Sequence, residues 1–276
     1  MGGWQAEQYR DEVTGARVRV LTPGPARDQV VYQTHPMWTR GMRRLLFHSD
    51  RTGSQWPHAL DMATGVIRPL VDREAGPVVL ARKEDRLYFR SGDTLFATDV
   101  LTAFQDPAAA RRVADIPSGI ERIEGGFSLD AGEDLLYTGA VVESDRKWAL
   151  LALDLGSGVW RTVVDLDFRV GHVQANPYVP GVILFCHETG GESPQRMWVV
   201  NADGSGLRPF YKETYNEWVT HEVWWGPDRA IFTIFPYDEE HRRLPHGVVH
   251  ADLATGTPTI HSQFTAWHAH GGPDGR

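Results

Sequence analysis

The chain has 276 residues, 41% hydrophobic and 23% charged, enough apolar material for one large domain or two small ones. Its net charge of −8 argues against nonspecific nucleic-acid binding, and an acidic ligand would need a local basic cluster. The one cysteine, Cys186, excludes a disulfide scaffold, and no apolar run approaches the ~18 residues that would span a membrane.

In chain order, the opening MGGWQAEQYRDE has no basic region followed by an apolar run, so no signal peptide is read and cytoplasm is the expected location. The run RVRVLT at 17–22 is expected to be the outer strand that fastens the last blade of a closed ring, without a partner in this chain. A unit then recurs: a polar turn, a β run, a second turn, and a strand ending in an Asp-x-x-Thr-Gly-like hairpin. Its paired runs fall at 41–50 and 59–65, 84–90 and 95–99, 132–138 and 151–158, 179–186 and 197–204, and 226–233 and 248–256. A sixth unit starts at Trp267. The period of roughly 40–50 residues is that of a four-stranded propeller blade. The runs are short, β-branched and aromatic, with Gly/Asp/Asn turns between them. Only residues 106–112, DPAAARR, look helical. The expectation is an all-β propeller, about five full blades and the start of a sixth in a single domain, 1–276. Closure would take about two more blades, roughly 100 residues, so the chain reads as truncated. The exposed flank of the fifth blade should then make the isolated chain aggregate.

Histidines stand at the blade entrances: His35, His172, His221, and His268 with His270. Repetition at one phase of the period would let imidazoles converge on the axis, as a metal or acid/base site requires. The competing reading of each is a hydrogen-bonding residue at a blade turn. Arg196 and His221 place a guanidinium and an imidazole at opposite ends of one repeat. His187 can pair locally with Glu188. Trp198, Trp218, Trp224, Trp225 and Trp267 are read as core rather than as a sugar-stacking platform. A phosphate loop, a G-x-S-x-G elbow and an H-E-x-x-H motif are all missing from the sequence.

The segments GHVQANP, FCHETGG, RMWVVNADGSGLRPFYKE and THEVWW resemble the oligogalacturonate lyases, cytoplasmic seven-bladed propellers of pectin breakdown. The resemblance implies that Arg196 is the catalytic arginine, His221 the catalytic base and His268 a manganese ligand, with His172 and His187 binding substrate. The family's other metal ligands belong to a last blade that this chain lacks, so manganese or another divalent cation is expected to bind weakly. The implied partner is a small acidic oligosaccharide, with neither nucleic acid nor membrane. The residue types suit the reaction. A proton α to a uronate carboxylate becomes removable when a cation and an arginine stabilise the developing charge and a histidine accepts the proton. The alternative is a noncatalytic propeller of the TolB or WD40 kind, serving as a binding or scaffold module.

Overall fold

The computed structural model describes residues 6–142, 147–189, 193–214, 217–236, 240, 243, 246–264 and 266–272. The chain forms two compact units, Met1–Asp115 and Ile116–Arg276. The first opens with a hairpin of β1 (Glu7–Arg10) and β2 (Arg17–Val20), in which Glu7 faces Val20. Two four-stranded antiparallel sheets follow in this unit. One is β3 (Asp28–Val30), β4 (Arg44–Ser49), β5 (Trp56–Asp61) and β6 (Ile67–Pro69); the other is β7 (Val78–Leu80), β8 (Arg86–Ser91), β9 (Thr94–Asp99) and β10 (Arg111–Asp115).

The second unit holds three more such sheets. They are β11 (Ile120–Leu129), β12 (Leu135–Val142), β13 (Lys147–Asp154) and β14 (Trp160–Leu166); β15 (Val170–Ala175), β16 (Val182–His187), β17 (Met197–Asn201) and β18 (Arg208–Pro209); and β19 (Glu217–Trp224), β20 (Arg229–Pro236), β21 (Gly247–Asp252) and β22 (Pro258–Ser262). Each sheet runs in simple up-and-down order, the topology of propeller blades. Among the described residues no helix is long and apolar enough to cross a membrane.

The repeated runs are the two middle strands of each sheet. Their hairpins close on one acidic side chain. Asp61 Oδ1 accepts from the Ala63 and Thr64 N–H groups, Asp154 from those of Gly156 and Ser157, and Asp252 from those of Ala254 and Thr255. These are Asx turns, which favour Asp followed by small polar residues. In the second sheet the equivalent Asp99 instead caps a helix, α1 (Val100–Gln105), by accepting from Thr102 N–H at 2.9 Å. The expected helix at 106–112 is therefore wrong. The helix lies one turn earlier, capped by Asp99, and 111–115 is strand. The run at 17–22, expected to lack a partner, instead pairs with β1 through Arg17–Val20.

Middle strands such as β4, β12, β16 and β20 are buried on both faces, so they read as continuous apolar runs rather than alternating ones. Along β16, Ile183 and Phe185 join a cluster with Tyr137, Leu150 and Val173, while Leu184 joins one with Met197, Val219 and Phe232. Each such buried side chain contributes about 1.5–3 kcal/mol. This packing makes β15–β17 and β19 a firm frame for whatever their ends carry.

Candidate functional site

The innermost strands of the second unit share a device. In each, the register with the neighbouring strand slips: by two extra residues between Glu124 and Phe127 in β11, and by one between Gly171 and Gln174 in β15 and between Thr220 and Val223 in β19. These are β-bulges, which re-aim side chains and are frequent beside active sites. The first is built on Gly125 and Gly126, with φ of 71° and 81°. At the same place the other two put His172 at φ 45° and His221 at φ 57°. Glycine adopts that conformation freely, whereas histidine pays on the order of 1–3 kcal/mol for it. The strain is held by the frame and turns both imidazoles out of the strand's regular alternation. His172 and His221 therefore lie within the innermost strands, not just before them as the sequence suggested. His35 sits in a turn after β3, where its Nδ1 lies 2.8 Å from Thr34 Oγ1.

Around the two bulges is a buried ion network. Glu222, next to His221, is completely buried. Its Oε1 lies 3.2 Å from His172 Nδ1, and its Oε2 accepts from Arg196 Nε at 3.5 Å. Glu188 Oε2 lies 3.5 Å from Arg196 Nη2 and 3.7 Å from His172 Nε2. Arg196 is only 4% exposed, so its charge is held between two carboxylates rather than offered to solvent. Gly171 makes room for this, since a Cβ there would meet the Glu188 Cβ at 2.8 Å and Cys186 Sγ at 2.9 Å.

The backbone at Arg196 is fixed as tightly. Its N–H and that of Met197 donate to Glu213 Oε1 at 2.7 and 2.9 Å, and its carbonyl accepts from His187 N–H at 2.8 Å. Gln174 Nε2 donates to the Glu222 carbonyl at 2.8 Å, which ties β15 to β19. Breaking one partner of such a buried pair leaves an uncompensated charge and costs about 3–5 kcal/mol.

The network drives its members' proton affinities apart. Burial pushes the Glu222 carboxyl up, but Arg196 and His172 outweigh it and hold it at about 2. Burial pushes His172 down, and Glu222 outweighs that, so His172 is raised and favours its cationic form. His221 goes the other way, lowered to about 4 by burial first and by His268 second. At neutral pH it is an uncharged imidazole able to accept a proton. Two histidines with opposed shifts in one cluster are the pattern of a divided acid/base assignment. Glu213 is raised to about 7, chiefly by burial.

His268 packs its ring against His221, centroids 4.2 Å apart, and Trp267 lies 4.8 Å from the same ring. Trp267 is 56% exposed, so the core reading fails for it, whereas Trp224 and Trp225 are buried. His187 Nδ1 lies 3.1 Å from Ser193 Oγ and its ring 4.6 Å from Phe168. The expected His187–Glu188 pair is replaced by Glu188 turning toward Arg196 and His172. The structure thus gathers Arg196, His172 and His221 around Glu222, sets His268 on His221, and leaves His187 beside that group. Sequence reasoning missed Glu188, Glu213 and Glu222. Two of them stand in the strings CHE and THE, where adjacency to histidine was the available signal.

Two donor sets could be considered for a metal ion. His172, Cys186 and Glu222 bring ligand atoms within 4.8 Å of one another. They do not suit a cation: Arg196 already neutralises Glu222, and burial pushes the Cys186 thiol well above its ordinary value. The exposed imidazole of His268, packed on the uncharged His221, suits a divalent ion that takes nitrogen ligands.

Comparison with known proteins agrees with the resemblance read from the sequence. A family profile described as oligogalacturonate lyase matches residues 143–243, the stretch that holds the ion network. An oligogalacturonide lyase of Pectobacterium atrosepticum is 30% identical over 98 residues, 34% of this chain and 25% of that protein. An oligogalacturonate lyase of Dickeya dadantii is 33% identical over 76 residues, 27% of this chain and 20% of that protein. The matches thus span about a quarter or less of these curated relatives. The structure of an oligogalacturonate lyase in complex with manganese superposes with a TM-score of 0.81 at 22% identity, covering 93% of this chain and 72% of that one. That likeness establishes the β-propeller fold.

Proposed function

We propose that this chain carries the catalytic region of an oligogalacturonate lyase, cleaving short uronate chains by β-elimination to unsaturated products. The observation that carries this reading is the pair of strained bulge histidines around Glu222 and Arg196, inside the stretch that matches the lyase family. His221, uncharged at neutral pH, removes the proton on the carbon α to the uronate carboxylate. The C–H electron pair forms the new double bond, the bond to the 4-linked sugar breaks, and the departing oxygen takes a proton from solvent. Arg196 stabilises charge building on the carboxylate. It is buried behind Glu188, so it meets the uronate as Glu188 gives up its Nη2 edge. His172, whose proton affinity Glu222 raises, and His187, on the neighbouring strand end, bind the acidic substrate.

His268 would hold manganese or another divalent cation, as the manganese complex of the structural relative suggests. Bound there, the ion would supply Lewis-acid stabilisation of the carboxylate. We also read the five sheets as blades of one seven-bladed propeller domain, on the strength of the resemblance.

The test is the ultraviolet absorbance of unsaturated product when the chain meets digalacturonate with manganese. Product formation that falls at least about 100-fold in His221→Ala is expected for loss of a general base. No product from the unaltered chain, or full activity in the variant, would overturn the reading and leave a noncatalytic binding module.

A further inference from the structure

A second basic cluster lies one strand away from the ion network. Glu124, at the bulge of β11, has a side chain only 5% exposed. Its Oε1 accepts from Arg122 Nε at 3.0 Å and Nη2 at 2.8 Å, and lies 3.4 Å from Arg169 Nε. Its Oε2 accepts from Trp148 Nε1 at 3.2 Å. One buried carboxylate therefore gathers two guanidinium groups, each 55% exposed. The Glu121 carboxylate, 51% exposed, lies 3.9 Å from Arg122 Nη1. A solvent-exposed pair of that kind is weak and readily exchanged. Arg169 also joins this cluster to the first. Its carbonyl accepts from the Glu188 N–H at 2.8 Å, and Phe168 beside it packs on His187.

We propose that Arg122 and Arg169, oriented by Glu124, form a further carboxylate-binding subsite for a third uronate of the same chain, beyond the two that flank the scissile bond. The identity of the ligand rests on the function proposed above. Three features support the assignment. Arg122 is hydrogen-bonded through Nε and Nη2 to a buried anion and Arg169 is ion-paired to the same oxygen, which orders them before a ligand arrives. Guanidinium groups recognise carboxylates by paired hydrogen bonds. At net charge −8 the chain gives a polyanion no general attraction, so binding depends on locally placed guanidinium donors such as these. Glu124 acts through the arginines and is a positioning residue.

The experiment compares di- and trigalacturonate, by titration calorimetry and by turnover, in the unaltered chain, Arg169→Ala, Arg122→Ala/Arg169→Ala and the control Arg161→Ala. Loss of one charge-assisted contact should weaken trigalacturonate about tenfold while digalacturonate changes less than about twofold. The double variant should lose more, and the control nothing. Equal weakening of both sugars, no change for either, or no trigalacturonate binding by the unaltered chain would overturn the subsite. Chain-length-dependent binding without any product would keep the subsite and reject the lyase reading. Product formation indifferent to Arg169 would do the reverse.

Discussion

At the scale of single residues, the site depends on acids largely withdrawn from solvent. Glu213 is the clearest case. It fixes the Arg196 backbone through one oxygen while burial raises its pKa from 4.5 to about 7. Between those values the folded state binds more protons than the unfolded state, so stability must fall as pH rises through that window. The displacement corresponds to about 3 kcal/mol, fully lost once pH exceeds about 7. Urea unfolding of the parent and of Glu213→Gln across this range isolates the group from other titrations. The parent should lose stability relative to the variant as pH rises. Parallel profiles would show that Glu213 is not carrying the proton. Glu222 is the opposite case, with a carboxyl held at about 2 that stays ionised throughout the same window.

The β-bulge is the element that turns a structural strand into a chemical one. Three consecutive inner strands carry it at the same place, first with glycines and then with His172 and His221. Replacing His221 by glycine or by alanine removes the imidazole equally. The two variants differ mainly in whether the new residue tolerates φ 57°. In an ordinary strand glycine is the less stable by roughly 0.5–1 kcal/mol. Here the order should reverse, with His221→Gly the more stable by about 1 kcal/mol in urea unfolding and both variants equally inactive. Alanine proving the more stable would mean that the bulge relaxes and holds no strain.

The same element explains what the sequence could reveal. The middle strands were legible because each ends in a turn whose aspartate has a local partner, as Asp61, Asp154 and Asp252 show. Strand β18, two residues long, leaves no such trace, and Asp99 used the same chemistry to start a helix. The histidines stood out by their phase. The glutamates did not, because burial of Glu222 against Arg196 is a cross-strand fact created by the bulge.

At the scale of the whole molecule, the charges oppose one another. Under the proposed function, a chain of net charge −8 repels an oligouronate at long range, while the arginines and His172 would attract it at contact. Salt separates these effects by distance. Raising ionic strength from about 0.01 to 0.15 M shortens the screening length from about 30 to 8 Å. That removes most of the long-range repulsion. Contacts shorter than about 4 Å between partly buried groups are screened far less. The value of kcat/KM for trigalacturonate at fixed manganese should therefore rise or stay level over this interval. Polyanion binding to a basic surface gives the opposite, a steep fall. Such a fall would show that a broad positive field, rather than a few oriented cations in an acidic protein, captures the substrate. The proposed function thus predicts capture by fit, in which the acidic body of the chain discourages misplaced anions and a uronate aligned with both clusters of unit 116–276 finds compensation.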